Sequence, residues 1–413
     1  MAAQRAIRRP SSGRTVFKNI VRVFPALVII AATINTVSCK NNNGLLQQTG
    51  GGGGATASGS LIPTSTPTAA AAALAFVTNF NDAQVSSFTR NTSTGALTHT
   101  GQVTAGAKHG PRGVIAAPSG NFLYVANIND DKIYEFSVNP TIGTLTPLST
   151  PSVSNGNATA PDELAINSAG TLLWVTGRAG TVTSYTVDTA TGQLTKKSSI
   201  DGFNTPFGIA VHPKLAVVYV SDLKTGLIQP MSYNTKTGAL AKNFPAVASS
   251  DPNAKIPAAL TIDAAGAALF TPDQGNGEVS SFAIDGSGAL TPIQAATNSK
   301  VTDGPVGVGV GTNTGNEYVF TANWGGASVS SFLINNSTTI IAPATVASGY
   351  NAPKGLVVDP QNVFVYSANS ADGTVAVSKI NGGCGSQICA GKAVPAESPH
   401  NSNSGPFGVT LVH

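Results

Sequence analysis

Charged side chains make up only 10% of this 413-residue sequence, so those that interrupt its repeating pattern invite a chemical reading. Arg112, Asp162, Glu163, Arg178, Asp222 and Lys224 fall in one continuous region, with His109 just before it and Lys354 further on. A carboxylate such as Glu163 can activate water, while guanidinium groups such as Arg112 and Arg178 can steady a developing oxyanion or hold an acidic ligand. Glu163, Arg178 and Arg112 are therefore the catalytic candidates. His109, Asp162, Asp222, Lys224 and Lys354 are the ligand-binding candidates. These residues can act together only if the elements carrying them share one face.

Other constellations give no comparable signal. Asn129, Asp130 and Asp131 lack EF-hand spacing and read as a solvated turn. Five His and three Cys show no zinc spacing, so no metal and no cofactor is expected. The glycine-rich GVGVGTNTG after Pro305 sits in a repeat strand and its turn, and it is neither a phosphate-binding loop nor a dinucleotide fingerprint.

The elements that must position the charges are read most clearly from Pro111 to Leu145. Apolar runs (VIAA, FLYVA, IYEFSV) alternate with turn chemistry (PSGN, NINDD, NPTIG), which predicts short antiparallel strands. The pattern recurs at Pro111, Pro161, Pro206, Pro257, Pro305, Pro353 and Pro406, a period in the range of propeller blades. Two positions later stands Gly113, Gly208, Gly307, Gly355 or Gly408, with Glu163 and Ala259 as exceptions. Each predicted second strand carries an aromatic: Phe76, Tyr124, Trp174, Tyr219, Phe270, Phe320 and Tyr366. The third strands are expected to place Phe88, Phe136, Tyr185, Tyr233, Phe282, Phe332 and finally Ile380 equivalently. Gly95, Gly143, Gly192, Gly238 and Gly288 suit the hairpins that follow, and the sixth copy lacks that glycine. Asn79, Asn127, Asp222, Asp273, Asn323 and Asn369 end second strands, where they read as caps of their own turns.

The first copy begins at its second strand, near Leu74, and the missing first strand is found at the C-terminus in GPFGVTLVH. The predicted fold is therefore all-β: a seven-bladed β-propeller over residues 74–413 with four-stranded antiparallel blades. The C-terminal strand joins the N-terminal blade and closes the ring. In this arrangement the Pro-x-Gly segments and the second-to-third connections share the face around the mouth of the central channel. That is the face that carries the candidate residues.

PRGVIAAPSGNFLYVAN and its echoes resemble the lactonase-like seven-bladed propeller family, which includes 6-phosphogluconolactonases and is related to YVTN-repeat surface proteins. The resemblance implies a histidine in a PHS-like segment and an aspartate in a VPDLG-like turn. Here the matching segments read GPRGV and VANIND, which place Arg112 and Asn127 at those points.

Residues 1–38 read as an export signal. Six cations from Arg5 to Arg22 precede the uncharged run Val23 to Ile34, which is too short to span a bilayer as a helix. Removing those cations takes the net charge from +4 to −2, so the composition excludes a nucleic-acid partner. TVSC, ending at Cys39, resembles a bacterial lipobox, with lipidation at Cys39 and a membrane anchor in the cell envelope as its implications. Residues 39–73, rich in Asn, Gly, Pro, Thr and Ala, form a flexible tether. In that oxidising setting a disulfide between Cys384 and Cys389 is expected.

The leading functional reading is a ligand- or partner-binding module of the cell envelope. Its ligand would be a small anionic or sugar-derived molecule, or a protein partner, at the channel mouth. The alternative is a hydrolase of a sugar lactone, and a structural surface protein is the third reading.

Overall fold

The computed structural model describes residues 72–249, 251, 256–293, 304–313, 316–336, 338–341, 346–348, 350–380, 388–389, 394–395 and 405–412. The export signal, nearly all of the tether, Cys39 and Cys384 lie outside the described residues, as does the side chain of Cys389. Every regular element among the described residues is a strand. They form seven antiparallel sheets, each running from an inner strand to an outer one.

Blade 2 is the most regular, with Pro111–Ala116 innermost, then Phe122–Asn127, Lys132–Val138 and Leu145–Ser154 outermost. In blades 4, 6 and 7 the outer position is filled by two short pieces. Blade 5 has the shortest inner strand, Thr261–Ile262, and its Pro257 makes only an isolated bridge to Asp273. Blade 1 is composite. Leu74–Asn79, Gln84–Arg90 and Leu97–Thr104 take their inner strand from Pro406–Val412, with Leu74 opposite Val412 and Phe76 opposite Thr410. Inner strands pack against one another in chain order, and the last packs against the first.

The Pro-x-Gly segment builds the channel wall through a β-bulge. In blades 2, 3, 4 and 7 the register to the second strand slips between the proline and the residue three later. A bulge frees one backbone N–H and re-aims its neighbours. In three blades a hydroxyl resolves this locally. Thr78 accepts from Gly408 N at 2.8 Å and donates to Arg112 O of blade 2 at 2.6 Å. Ser221 accepts from Gly208 N at 2.8 Å and donates to Ala258 O of blade 5 at 2.7 Å. Thr176 does the same between Glu163 N and Phe207 O. The glycine is required by crowding: a Cβ on Gly113, Gly208, Gly307, Gly355 or Gly408 would strike the carbonyl of the x residue in the next blade.

Each pair of neighbouring blades encloses its own apolar cluster, seven in all, so every blade buries both faces. The second-strand aromatics are all fully buried. Where they carry a polar atom it reaches the hairpin glycine of the next blade: Tyr124 donates to Gly192 O, Trp174 to Gly238 O, Tyr219 to Gly288 O and Tyr366 to Gly95 O. Asn336 supplies the left-handed residue of the hairpin that lacks glycine, at φ 51°.

Two third-strand assignments are corrected by the register. Met231 lies opposite Val218 and Ser378 opposite Val365, at the level where Phe136 faces Leu123. Tyr233 and Ile380 stand two residues further on. Repetition of residue type misplaced them because a strand places every second residue on the same face.

Arg90 occupies the register where other blades place Val138, Val187, Tyr233, Ile284, Ile334 and Ile380. Its guanidinium reaches into blade 7, pairing with Asp359 at 3.1 Å and donating to Gln361 at 3.2 Å. Both ionic side chains are fully buried.

Glu135 is a second buried ionisable group, on the third strand of blade 2. It accepts from Leu194 N at 2.9 Å and Gln193 Nε2 at 3.3 Å, across the junction with blade 3. Burial raises its pKa to about 7, and the Leu194 hydrogen bond acts against that rise. The folded protein thus holds this proton more tightly than the unfolded chain does. Its stabilising effect is fully present below the ordinary carboxyl pKa and is lost as pH rises through about 7. Thermal melts should show the midpoint of Glu135→Gln gaining on the native protein between pH 5 and 8, and parallel curves would refute this.

Candidate functional site

Two concentric rings of side chains surround the channel mouth. The inner ring is the x residue of each Pro-x-Gly segment: Phe407, Arg112, Asp162, Phe207, Ala258, Val306 and Lys354. The outer ring follows the residue that ends each second strand and includes Phe80, Arg178 and Trp324. Contacts join the rings across neighbouring blades. Arg112 lies over Phe80 at 5.9 Å, Arg178 over Phe207 at 5.0 Å, and Lys354 near the Trp324 ring at 5.7 Å.

Asp162 organises the charges. Its side chain is fully buried, and one oxygen accepts from Arg112 Nη1 at 2.9 Å and from Arg178 Nε. Arg112 also lies over Phe407 at 4.1 Å, a ring that Lys354 approaches at 4.9 Å. Burial, together with Arg112 and Arg178, holds the Lys354 ammonium below the usual lysine value. Burial likewise lowers the Arg112 pKa, opposed by Asp162 and reinforced by Arg178. Arg112 Nε and Asp162 Oδ1 are buried without a hydrogen-bond partner.

Glu163 stands where five other blades have glycine, at the narrow channel wall. It is half-buried by exposure yet closely surrounded by protein, and its pKa is raised to about 8. Burial is the main cause, with Asp162 adding to it and Arg112 and Arg178 opposing it. Near neutral pH the carboxyl therefore largely keeps its proton. The mouth then holds three cations against the single charge of Asp162.

Below the mouth lies a cavity of about 190 Å³ to which all seven blades contribute. Glu163 and Lys354 are the only polar side chains in its wall. A second cavity, of about 340 Å³, lies further along the inner strands of blades 2 to 5.

The structure thus gathers Arg112, Asp162, Glu163, Arg178 and Lys354. It does not bring the remaining candidates to them. Asp222 is buried and accepts from the N–H groups of Asn204, Thr205, Lys224 and Thr225, while Lys224 is exposed in the turn so capped. His109 is exposed in the loop before blade 2. Asn127 spends its amide on Ala105 O and Lys108 O, and its carbonyl accepts from Asn129 N and Asp130 N. Asp130 and Asp131 brace loops: Asp130 accepts from Ala107 N and the Tyr134 hydroxyl, Asp131 from Ala158 N and Ala160 N. Among the described residues no cluster of His, Cys, Asp and Glu could hold a metal.

The aromatic members, Phe80, Phe207, Trp324 and Phe407, were not legible as site residues from residue type. Their shared signal is position: each is either the x of Pro-x-Gly or follows the end of a second strand.

A family model described as Lactonase, 7-bladed beta-propeller matches residues 64–160 and 217–349. The unmatched stretch between them carries Asp162, Glu163 and Arg178. Among similar solved structures is a putative 6-phosphogluconolactonase from Bacteroides fragilis, 18% identical with a TM-score of 0.71, covering 85% of this chain and 100% of its own. The periplasmic gluconolactonase PpgL of Pseudomonas aeruginosa is 16% identical with a TM-score of 0.64, covering 83% and 99%. At such identity the likeness is one of fold. No curated protein sequence matches the chain.

Proposed function

The chain belongs to the lactonase seven-bladed β-propeller family, and from that premise we propose that it binds a small organic anion at the channel mouth. The observation that carries this reading is the engagement of the buried Asp162 by Arg112 and Arg178 beside Lys354, which leaves cationic charge in excess. Like charges held close together in a partly desolvated site gain from an added anion. Of these charged residues Arg112 lies within the family match, and Asp162, Glu163, Arg178 and Lys354 lie outside it.

Calorimetric titration with gluconate, 6-phosphogluconate, benzoate and the neutral glucose tests the proposal. Anions should bind and glucose should not, with Arg178→Ala and Lys354→Met each weakening binding by about tenfold or more. Ionisation of Glu163 adds negative charge to the site, so affinity should fall as pH rises through about 8. Anion affinity indifferent to both substitutions would overturn the reading.

Lactone hydrolysis is the second reading, and the Glu163 carboxyl beside two guanidinium groups favours it. Ionised Glu163 would take a proton from water as the water oxygen attacks the ring carbonyl, and Arg112 or Arg178 would meet the oxyanion. Turnover would then rise through pH 8, opposite to anion binding, and fall about a hundredfold or more in Glu163→Gln. On the binding reading, glucono-lactone and its 6-phosphate hydrolyse no faster with protein than in buffer.

We also propose that the mature protein is a bacterial envelope lipoprotein anchored in the membrane through Cys39, with a Cys384–Cys389 disulfide. The order of basic segment, short apolar run and small residues before Cys39 supports the anchor. Mass spectrometry of protein extracted from membranes should find a lipid-modified N-terminal Cys39 and linked Cys384 and Cys389 peptides. An unmodified N-terminus elsewhere would exclude the anchor, and two free thiols would exclude the disulfide.

A further inference from the structure

The rim beside Lys354 narrows the class of anion. Trp324 is 51% exposed, a large indole left to solvent, whereas the other aromatic rings among the described residues are buried or half-buried. Its backbone N–H donates to Gly304 O, which fixes it at the start of the inner strand of its own blade. Lys354 lies 5.7 Å from the Trp324 ring centroid and 4.9 Å from that of Phe407, so one ammonium stands close to two aromatic rings.

The charges are distributed unevenly around the mouth. Lys354, Arg112, Asp162 and Arg178 occupy blades 7, 2 and 3, while blades 4 to 6 offer Phe207, Ala258 and Val306 on the inner ring. No serine, threonine, asparagine or glutamine side chain lines the cavity below. A polyhydroxylated anion would need neutral hydrogen-bonding partners for each hydroxyl it buries, because an unsatisfied one costs free energy. The rim beside Lys354 presents aromatic faces instead.

We infer that the ligand of this site is a planar organic anion, a carboxylate carried on an aromatic or unsaturated ring, with its ring against Trp324 and its carboxylate between Lys354 and the two arginines. This rests on the anion-binding reading above and adds the chemistry of the ligand body. Ring stacking is a contact that a polyol makes poorly, whereas a carboxylate on a flat ring satisfies the cations and the aromatic faces together.

Equilibrium titration of the folded protein with benzoate, gluconate and benzyl alcohol tests this. Benzoate should bind about tenfold or more tightly than gluconate, and benzyl alcohol should bind far more weakly than benzoate. Trp324→Ala should erase the preference for benzoate over gluconate, while Trp324→Phe, which keeps an aromatic face, should retain most of it. Trp324 is exposed, so neither substitution removes a core contact. Gluconate binding as tightly as benzoate, or a preference that survives Trp324→Ala, would overturn this inference and leave the anion reading standing. Benzyl alcohol binding as tightly as benzoate, or no binding by either anion, would overturn the anion reading and this inference with it.

Discussion

Removal of residues 405–413 is expected to abolish the cooperative fold of the whole ring. The lost strand is the inner strand of blade 1 and pairs along Leu74–Asn79 from Val412 to Pro406. Without it Leu74, Phe76 and Val77, all fully buried in the closed ring, flank an unpaired edge, and the clusters on both sides of blade 1 lose Val409, Leu411 and Val412. Phe407 and the Gly408 N–H held by Thr78 also disappear from the channel wall. An open edge bordered by uncovered apolar surface is a template for aggregation. The truncated chain should melt tens of degrees lower or precipitate, and circular dichroism with size-exclusion chromatography would show it. A truncated monomer melting within a few degrees of the full chain would contradict the closure.

Arg90→Ala is expected to cost about 3–5 kcal/mol, the usual penalty for stranding one partner of a buried ion pair. Asp359 has no exposed surface. Its other oxygen accepts from Val363 N and Phe364 N at 2.6 Å each, so the carboxylate is fixed in place and cannot turn to solvent. Asp359→Asn in the same background should recover part of the loss by removing the unpaired charge while retaining an acceptor for the turn. Urea unfolding of the two single variants and the double variant measures the coupling. Additive effects would show that the pair contributes nothing beyond its separate members.

The fold was legible because it is written in repeated residue types. Prolines at a near-constant interval marked the inner strands, and the displaced GPFGVTLVH marked the closing strand, so blade number and closure followed from spacing. Where one type gave way to another the reading failed, as at Met231 and Ser378, where only hydrogen-bond register identifies the equivalent position. The cationic cluster was legible for a complementary reason: Arg112, Asp162, Glu163, Arg178 and Lys354 break the repeat. Its aromatic rim was not, because Phe80 and Trp324 follow second strands whereas Phe407 is the x of Pro-x-Gly, and other blades fill both positions with unrelated residue types. The Arg90–Asp359 pair spans 269 residues and exists only when the ring is closed, so nothing local to either residue reveals it.

The composite blade also sets a timetable for the nascent chain. Its second strand, Leu74–Asn79, is synthesised before every other strand of the ring, and its inner strand, Pro406–Val412, after them all. At ordinary translation rates the interval is on the order of half a minute. For that time the sheet that will later anchor both seams of blade 1 stands with one edge vacant. Six blades can gather while the ring stays an open arc, and the final joint waits for the last strand to leave the ribosome. The chain must therefore be kept from self-association while still an arc. A circular permutant that begins at Gly405 would carry its inner strand into blade 1 from the outset and lose that window.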